Sequence, residues 1–175
     1  MFRIKAGYSD QLEVPTTADR ARQFFSEIQN FVDLMPGIES IRREANGILR
    51  WIVSAEVPMY GTVRAAFTVE QTENGPERIE WSPATSENEN YLRYAADFEE
   101  RGARTLVKIA QQVELRRPHA RDFHSLAALI GEGPISAEMQ KHVVKMIKTF
   151  LERSRAKLEH EMSEPPVDCG LQIAD

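Results

Sequence analysis

The sequence predicts an α+β fold in which one long C-terminal helix covers an antiparallel sheet. Apolar residues recur every three or four positions between residues 134 and 161, which is the period of a helix with one buried face. Between residues 37 and 117 the period changes to two, as in strands that bury one face. Short turn signals separate these strands and indicate hairpin connections between antiparallel neighbours.

The long helix is predicted over residues 136–161, with Ser136 as its N-cap after the break at Gly133 and Pro134. A helix of this length with an exposed apolar stripe is not stable alone, so we expect it to pack against the sheet. Its stripe consists of Ile135, Met139, Val143, Met146, Ile147, Phe150, Leu151 and Leu158.

A strand and two short helices are predicted ahead of the meander. Residues 1–14 alternate as a strand that ends at Pro15. Thr16 and Asp19 form a capping-box pattern for a first helix, and Asn30 and Asp33 repeat the cap pattern for a second. The buried face of the first helix is expected to hold Ala21, Phe24, Phe25 and Ile28.

Six strands are predicted in the meander. The sheet is therefore expected to have six strands, or seven if the strand at residues 1–14 joins it. Asn46–Gly47 is a strong tight-turn signal between the first two of them. Residues 118–133 break the alternation and indicate a partly helical link to the long helix. The predicted strands of the meander are 38–43, 48–57, 62–72, 78–81, 91–99 and 105–116.

Length and composition restrict the class of protein. A chain of 175 residues with a net charge of −5 suits one domain, expected over 1–162, and argues against a nucleic-acid partner. We expect residues 163–175 to be a disordered tail. No apolar run reaches the ~20 residues of a membrane span, and no signal-peptide pattern is present. A single cysteine, Cys169, indicates a reducing compartment, and we expect a cytoplasmic protein.

The order of elements and the stretch from Phe31 to Ile38, Phe-Val-Asp-Leu-Met-Pro-Gly-Ile, resemble the START-like (SRPBCC) superfamily. Further residues that carry the resemblance are Val14–Pro15, Phe24–Phe25 and the Asn–Gly hairpin. The nearest branches are the polyketide cyclase/dehydrase and ubiquinone-binding (Coq10-like) proteins and a group of accessory proteins of carbon monoxide dehydrogenase. The resemblance implies the helix-grip fold, a curved sheet wrapped around the long helix. It also implies a cavity under that helix for a lipid, quinone, polyketide or steroid.

The inner face of the sheet, read from the alternation, is apolar and has few polar groups. No charged residue or histidine falls on the inner parity of the strands, which favours binding over acid–base catalysis. Small residues at Ala55, Ala65 and Ala96 indicate space, although core packing is the better explanation of any one position, and the resemblance alone favours a cavity for the whole set. The predicted ligand-binding set is Trp51, Val53, Phe67, Trp81, Tyr94, Gln111, Met139, Val143 and Met146. Within the strands, only Tyr94, Gln111 and the two indole N–H groups of this set can hydrogen-bond.

Two alternatives stay open. A cyclase or dehydratase would take its acid–base groups from Tyr94, Glu87, Asp122, His119 or His124. An accessory interaction protein would use an exposed apolar patch on residues 118–133 and a protein partner. No metal or cofactor is expected, because His119, Asp122 and His124 match no standard zinc spacing. The remaining expectations are a surface pair of His142 with Glu138, no catalytic context for Cys169, and an adaptable contribution from Met35 and Met59.

Overall fold

The computed structural model describes residues 1–58 and 60–164. The predicted order of strands and helices is confirmed, and 3₁₀ turns at Ala45–Gly47 and Ala120–Asp122 supplement it. Of the predicted tail, Ser163 is the last residue of the long helix, and residues 165–175 lie outside the described residues. The elements are β1 (Phe2–Val14), α1 (Ala18–Ser26), α2 (Ile28–Leu34), β2 (Ile38–Arg43), β3 (Leu49–Val57), β4 (Gly61–Asn74), β5 (Arg78–Pro83), β6 (Asn90–Arg101), β7 (Arg104–Arg117), α3 (Ala127–Ile130) and α4 (Glu132–Ser163).

All seven strands of the described residues form one antiparallel sheet in the order β1-β7-β6-β5-β4-β3-β2. The meander runs from β2 to β7, and the first strand then pairs along its whole length with the last. Consequently β1 and β2 are the two edges of the sheet. Helix α4 packs far more extensively against β1 than against β3, while α1 contacts β5, β6 and β7.

Helix α4 begins at Glu132, so the prediction that Ser136 caps it was wrong. Gly131 precedes the helix with a φ of 85°, a conformation that glycine adopts without a steric cost. Ser136 lies one turn inside the helix, and its Oγ accepts a hydrogen bond from the backbone N–H of Lys5 at 3.2 Å. Ser136 therefore serves the neighbouring strand and not the helix terminus.

Side chains of α4 cover the free edge of β1. The Glu132 carboxylate accepts from the backbone N–H of Arg3 at 2.7 Å. The Gln140 amide exchanges two hydrogen bonds with the backbone of Gly7, at 2.9 and 2.7 Å. Residues 132, 136 and 140, which are one helical turn apart, thus bind residues 3, 5 and 7 of β1. This pairing holds the first half of α4 against one edge of the sheet and satisfies edge groups that could pair with another chain.

The two short helices are capped by residues other than those predicted. Thr17, and not Thr16, caps α1, since its Oγ accepts from the backbone N–H of Arg20 at 3.3 Å. The carbonyl of Thr16 instead accepts from the buried hydroxyl of Thr105 at 2.8 Å.

Asn30 was predicted as a cap but lies inside α2, whose N-cap is Glu27. Its side-chain amide donates to the carbonyl of Phe24 at 2.9 Å and accepts from Lys157 Nζ at 2.7 Å. Asn30 is only 7% exposed. It therefore joins α1, α2 and α4 through a buried polar contact.

An aromatic cluster fills the end of the sheet that α2 covers. The ring of Phe31 lies 5.0 Å from Tyr94, 5.1 Å from Trp51, 5.4 Å from Phe150 and 6.0 Å from Trp81, measured between ring centroids. Phe31 is 1% exposed and Phe150 is fully buried. This end of the interior is packed solid and holds α2 between the sheet and α4.

The outer face of β5 and β6 carries a network of ion pairs around Glu80. The Glu80 carboxylate accepts from Arg93 at 2.7 and 3.0 Å, from Arg78 at 2.7 Å and from Ser82 at 2.9 Å. Arg93 is the main cause that lowers the pKa of Glu80 from 4.5 to about 2; burial of the carboxyl opposes this effect, and Arg78 and Ser82 add to it. Glu80 thus stays ionised on an otherwise solvated face.

Replacing Glu80 with glutamine is expected to lower the free energy of unfolding by about 1–3 kcal/mol at neutral pH, because Arg93 loses the carboxylate that it pairs with and Arg78 keeps only Asp97 and Glu73. Arg93 is half exposed, and solvent screening places the loss toward the lower end of that range. The folded-state pKa of Glu80 is lowered, so its contribution is complete above pH 4.5 and is lost as the pH falls toward 2.

Denaturant unfolding at several pH values measures this loss. The difference between the natural protein and Glu80→Gln should narrow between pH 4.5 and 2. Glu100→Gln, an exposed substitution on β6, is the control and should change little. An equal effect of both substitutions, or a constant difference at all pH values, would contradict the assigned role of Glu80.

Candidate functional site

A cavity lies between the inner face of the sheet and α4, beside the aromatic cluster. The space that no atom fills is about 580 Å³, and part of it is open to solvent. The centre of a water molecule can occupy about 50 Å³ of it. The interior is therefore neither solid nor widely open at this place. The lining residues are Ile38, Trp51, Val53, Ser54, Ala55, Val57, Val63, Ala65, Phe67, Leu92, Gln111, Val113, Leu115, Met139, His142, Val143 and Met146.

Most of the predicted ligand-binding residues lie on the wall of this cavity, but two do not. Trp81 and Tyr94 pack beside Phe31 in the aromatic cluster, outside the lining. Met35 is buried outside the lining, and Met59 lies outside the described residues. The predicted residues that line the cavity are Trp51, Val53, Phe67, Gln111, Met139, Val143 and Met146.

The cavity lies where small side chains of β3 and β4 face α4, which packs mainly against β1. Ala55 on β3 and Ala65 on β4 line it and are half-buried. Helix α4 makes its main contact with β1, several strands away from β3. Ala96, which also indicated space, is fully buried outside the lining and belongs to the packed core.

Gly37 precedes β2 and permits a close backbone approach to two cavity-lining residues, Ser54 and Met146. Its φ is 86°, and its carbonyl accepts from the backbone N–H of Ser54 at 2.8 Å. A Cβ atom at this position would lie 2.8 Å from the carbonyl oxygen of Ser54 and 3.3 Å from the methyl of Met146. Only glycine fits both the conformation and the space.

Two buried polar groups on the wall have no hydrogen-bond partner among the described residues. The indole Nε1 of Trp51 is an unpaired donor, and the amide Oε1 of Gln111 is an unpaired acceptor. The Gln111 amide nitrogen lies 3.6 Å from the sulfur of Met146. Trp51 is 1% exposed and Gln111 is 3% exposed, so each unpaired group carries a desolvation cost until a partner binds.

Among the described lining residues His142 is the titratable one, although the sequence pattern predicted it at the surface. The expected pair with Glu138 was wrong, because the Glu138 carboxylate instead binds Lys141 at 2.5 Å. His142 is half-buried beside Met139 and Met146, which lie one turn before and after it on α4. Met139 and Met146 belong to the predicted apolar stripe, and their spacing of three and four residues from His142 was the sequence signal for its position beside the cavity.

Glu87, a predicted acid–base candidate, holds a loop together. Burial of the Glu87 carboxyl opposes its ionisation, but backbone N–H groups of Asn90, Glu89, Thr68 and Asn88 donate to it, and its pKa is lowered overall. The carboxylate lies outside the cavity lining. Glu87 therefore stabilises the turn between β5 and β6.

The other acid–base candidates also lie outside the cavity lining. Asp122 accepts from the backbone N–H of His119 at 2.9 Å in a local capping arrangement. His124 accepts from the backbone N–H of Leu126 at 3.2 Å. Burial raises the pKa of Tyr94 well above its usual value, so its phenol stays neutral in the core.

The link between β7 and α4 contacts Tyr60, which follows β3. The rings of His124 and Tyr60 meet edge to face, with 4.8 Å between their centroids. Leu126 and Leu129 are exposed on this link, at 38% and 84%. They are the exposed large apolar side chains of residues 118–133, and a protein partner at this segment stays a prediction.

Neither a metal cluster nor a membrane-spanning helix is found in the described residues. Within residues 1–58 and 60–164, no three His, Cys, Asp or Glu side chains are grouped so that they could hold a metal ion. No helix in the same ranges is long and apolar enough to cross a membrane.

Comparison with solved structures identifies the architecture. A START superfamily protein from Mycobacterium smegmatis matches with a TM-score of 0.60 and 16% identity, over 89% of this chain and 98% of that chain. The fold is START-like. The Zhui aromatase/cyclase from Streptomyces matches with a TM-score of 0.59 and 12% identity, over 90% of this chain and 96% of that one.

A di-domain aromatase/cyclase, StfQ of the steffimycin biosynthetic pathway, also matches this structure. Its TM-score is 0.57 at 12% identity, over 92% of this chain and 53% of that chain, so the present chain spans about half of it. Neither a protein-family profile nor a curated protein matches the sequence. At these identities the likeness concerns the fold, and function must be argued from the cavity.

Proposed function

We propose that this protein binds a hydrophobic small molecule, of lipid, quinone or polyketide type, in the cavity between the sheet and α4. The observation that supports this most is an apolar cavity whose wall holds two buried, unpaired hydrogen-bonding groups, on Trp51 and Gln111. Ligand sites generally combine apolar walls with a few fixed polar groups. The START-like fold adds to this support.

The cavity must widen to admit a ligand of ordinary size. Its 50 Å³ of water-accessible space is small beside the several hundred Å³ of typical ligand pockets. Met139 and Met146 lie on the helix side of the wall, and methionine side chains repack at low cost because they are unbranched and flexible. We therefore expect ligand entry to displace these two side chains.

Native mass spectrometry of protein purified from its host, followed by extraction, tests the proposal. We expect a co-purifying apolar molecule, or saturable binding of added quinones and fatty alcohols by the ligand-free protein. The domain predicted over 1–162 should retain the binding. Absence of both a bound molecule and any saturable binding would contradict the proposal.

We place this function in the cytoplasm as part of the same proposal. One cysteine in 175 residues cannot form an internal disulfide. Secretion of the protein by its host would contradict the assignment.

Catalysis of a cyclase or dehydratase type is the second candidate, and His142 is the observation that favours it. Imidazole is the commonest general acid–base group, and it lies here on the wall of an apolar cavity. The aromatase/cyclase neighbours share the fold. His142 would then withdraw or return a proton at the carbon chain of a bound poly-β-keto substrate.

Replacing His142 with glutamine is expected to lower the turnover of a poly-β-keto thioester about a hundredfold or more, with apolar binding retained. Liquid chromatography with mass spectrometry measures the cyclised or dehydrated product. His160→Gln, on the exposed end of the same helix, is the matched control and should keep full turnover. Lack of turnover by the natural protein, or equal turnover by both variants, would remove this candidate.

A further inference from the structure

We infer that the ligand of the cavity is an uncharged molecule with a hydroxyl group, because the indole N–H of Trp51 needs an acceptor and the amide oxygen of Gln111 needs a donor. This inference rests on the proposed binding function and narrows its ligand class. It is carried by the two unpaired polar atoms and by the absence of fixed charge on the described wall.

The chemistry of each unpaired atom determines what it needs. An indole nitrogen only donates, so Trp51 requires an acceptor. A thioether sulfur only accepts, so the Gln111 nitrogen belongs beside Met146 and the Gln111 oxygen is left to accept. One hydroxyl group offers both an acceptor oxygen and a donor hydrogen, and a molecule with a carbonyl and a hydroxyl offers them separately.

The rest of the wall disfavours a charged ligand. Among the described lining residues there is no lysine, arginine, aspartate or glutamate. An ionised carboxylate would enter apolar surroundings without a permanent cationic partner, which is costly. A plain hydrocarbon fits the apolar wall but leaves Trp51 and Gln111 unpaired. A neutral hydroxylated molecule avoids both costs.

Three probes of one size distinguish these cases, namely p-cresol, p-xylene and p-toluate. At neutral pH p-cresol is uncharged, since phenols have a pKa of about 10. We expect p-cresol to bind about tenfold more tightly than p-xylene, and p-toluate to bind weakest. Titration followed by two-dimensional proton–nitrogen NMR measures all three dissociation constants.

The two tryptophans supply an internal reference in the same spectra. The indole N–H resonance of Trp51 should move downfield with p-cresol and much less with p-xylene, because only the former accepts a hydrogen bond. The indole of Trp81 lies outside the cavity lining and should move little in both titrations. A Trp81→Phe variant assigns the two resonances.

A matched pair of glutamine variants tests the acceptor. Gln111→Leu should reduce the preference for p-cresol over p-xylene to about one, while Gln112→Leu should leave it unchanged. Gln112 is the next residue of β7, and its exposed side chain points to the opposite face of the sheet. Gln111→Leu removes a buried unpaired oxygen, so it should not prevent folding.

Each outcome supports or overturns a distinct claim. Binding of p-xylene as tightly as p-cresol, with no downfield shift of the Trp51 indole, overturns the hydroxyl inference but leaves an apolar binding site. Tightest binding of p-toluate overturns the claim that the ligand is uncharged. Failure of all three probes, with no co-purifying molecule, overturns the proposed function itself.

Discussion

Replacing Ala65 with phenylalanine is expected to abolish binding in the cavity while the protein stays folded. Ala65 lies half-buried on β4 and lines the cavity, so the added ring occupies the free space between the sheet and α4. Affinity for apolar probes should fall more than tenfold. The overpacking cost is about 1–3 kcal/mol at most, because the ring enters existing free space.

Ala66→Phe is the matched control for this prediction. Ala66 is the next residue of β4, points to the opposite face by strand alternation and is not part of the cavity lining. Isothermal titration calorimetry with an apolar probe measures the dissociation constant, and circular dichroism checks the fold of both variants. Undiminished binding by a folded Ala65→Phe protein would mean that the ligand occupies another place.

Replacing Phe31 with alanine is expected to lower the free energy of unfolding by about 3–5 kcal/mol. Phe31 is 1% exposed, and its ring contacts Trp51, Trp81, Tyr94 and Phe150 at the packed end of the interior. The four surrounding rings cannot collapse into the space that the substitution leaves. The loss should therefore approach the upper end of the range for large-to-small substitutions.

Phe123→Ala gives the comparison, because Phe123 is half-buried in the link before α3 and its ring lies 6.1 Å from that of Phe2. Its loss should be clearly smaller than that of Phe31→Ala. Urea unfolding followed by circular dichroism measures both. Equal losses would show that the aromatic cluster contributes no more than an ordinary partly buried contact.

Local patterns in the sequence were sufficient for the architecture. Alternation placed all seven strands within a few residues of their observed bounds, since each strand buries one face and exposes the other. The positive φ at Asn46 and Gly47 matches the predicted tight turn between β2 and β3. Residues of the predicted helical stripe, such as Val143, Ile147 and Phe150, are buried in α4.

Predictions that needed distances between elements were less successful. Trp81 and Tyr94 share the inner parity with Trp51, but α2 inserts Phe31 beside them and removes them from the cavity. His142 was predicted at the surface, whereas the path of α4 places it on the wall. Ser136 has the chemistry of an N-cap, yet the neighbouring strand uses its hydroxyl.

The sequence by itself determined which face of each element is apolar, and with it the sheet, the long helix and their order. These properties follow from periods of two and about 3.6 residues, which are local and can be read along the chain. Only the tertiary structure decided where the interior is filled and where it stays open. That outcome depends on hydrogen bonds from α4 to the edge of β1 and on the insertion of Phe31, contacts between residues far apart in the chain.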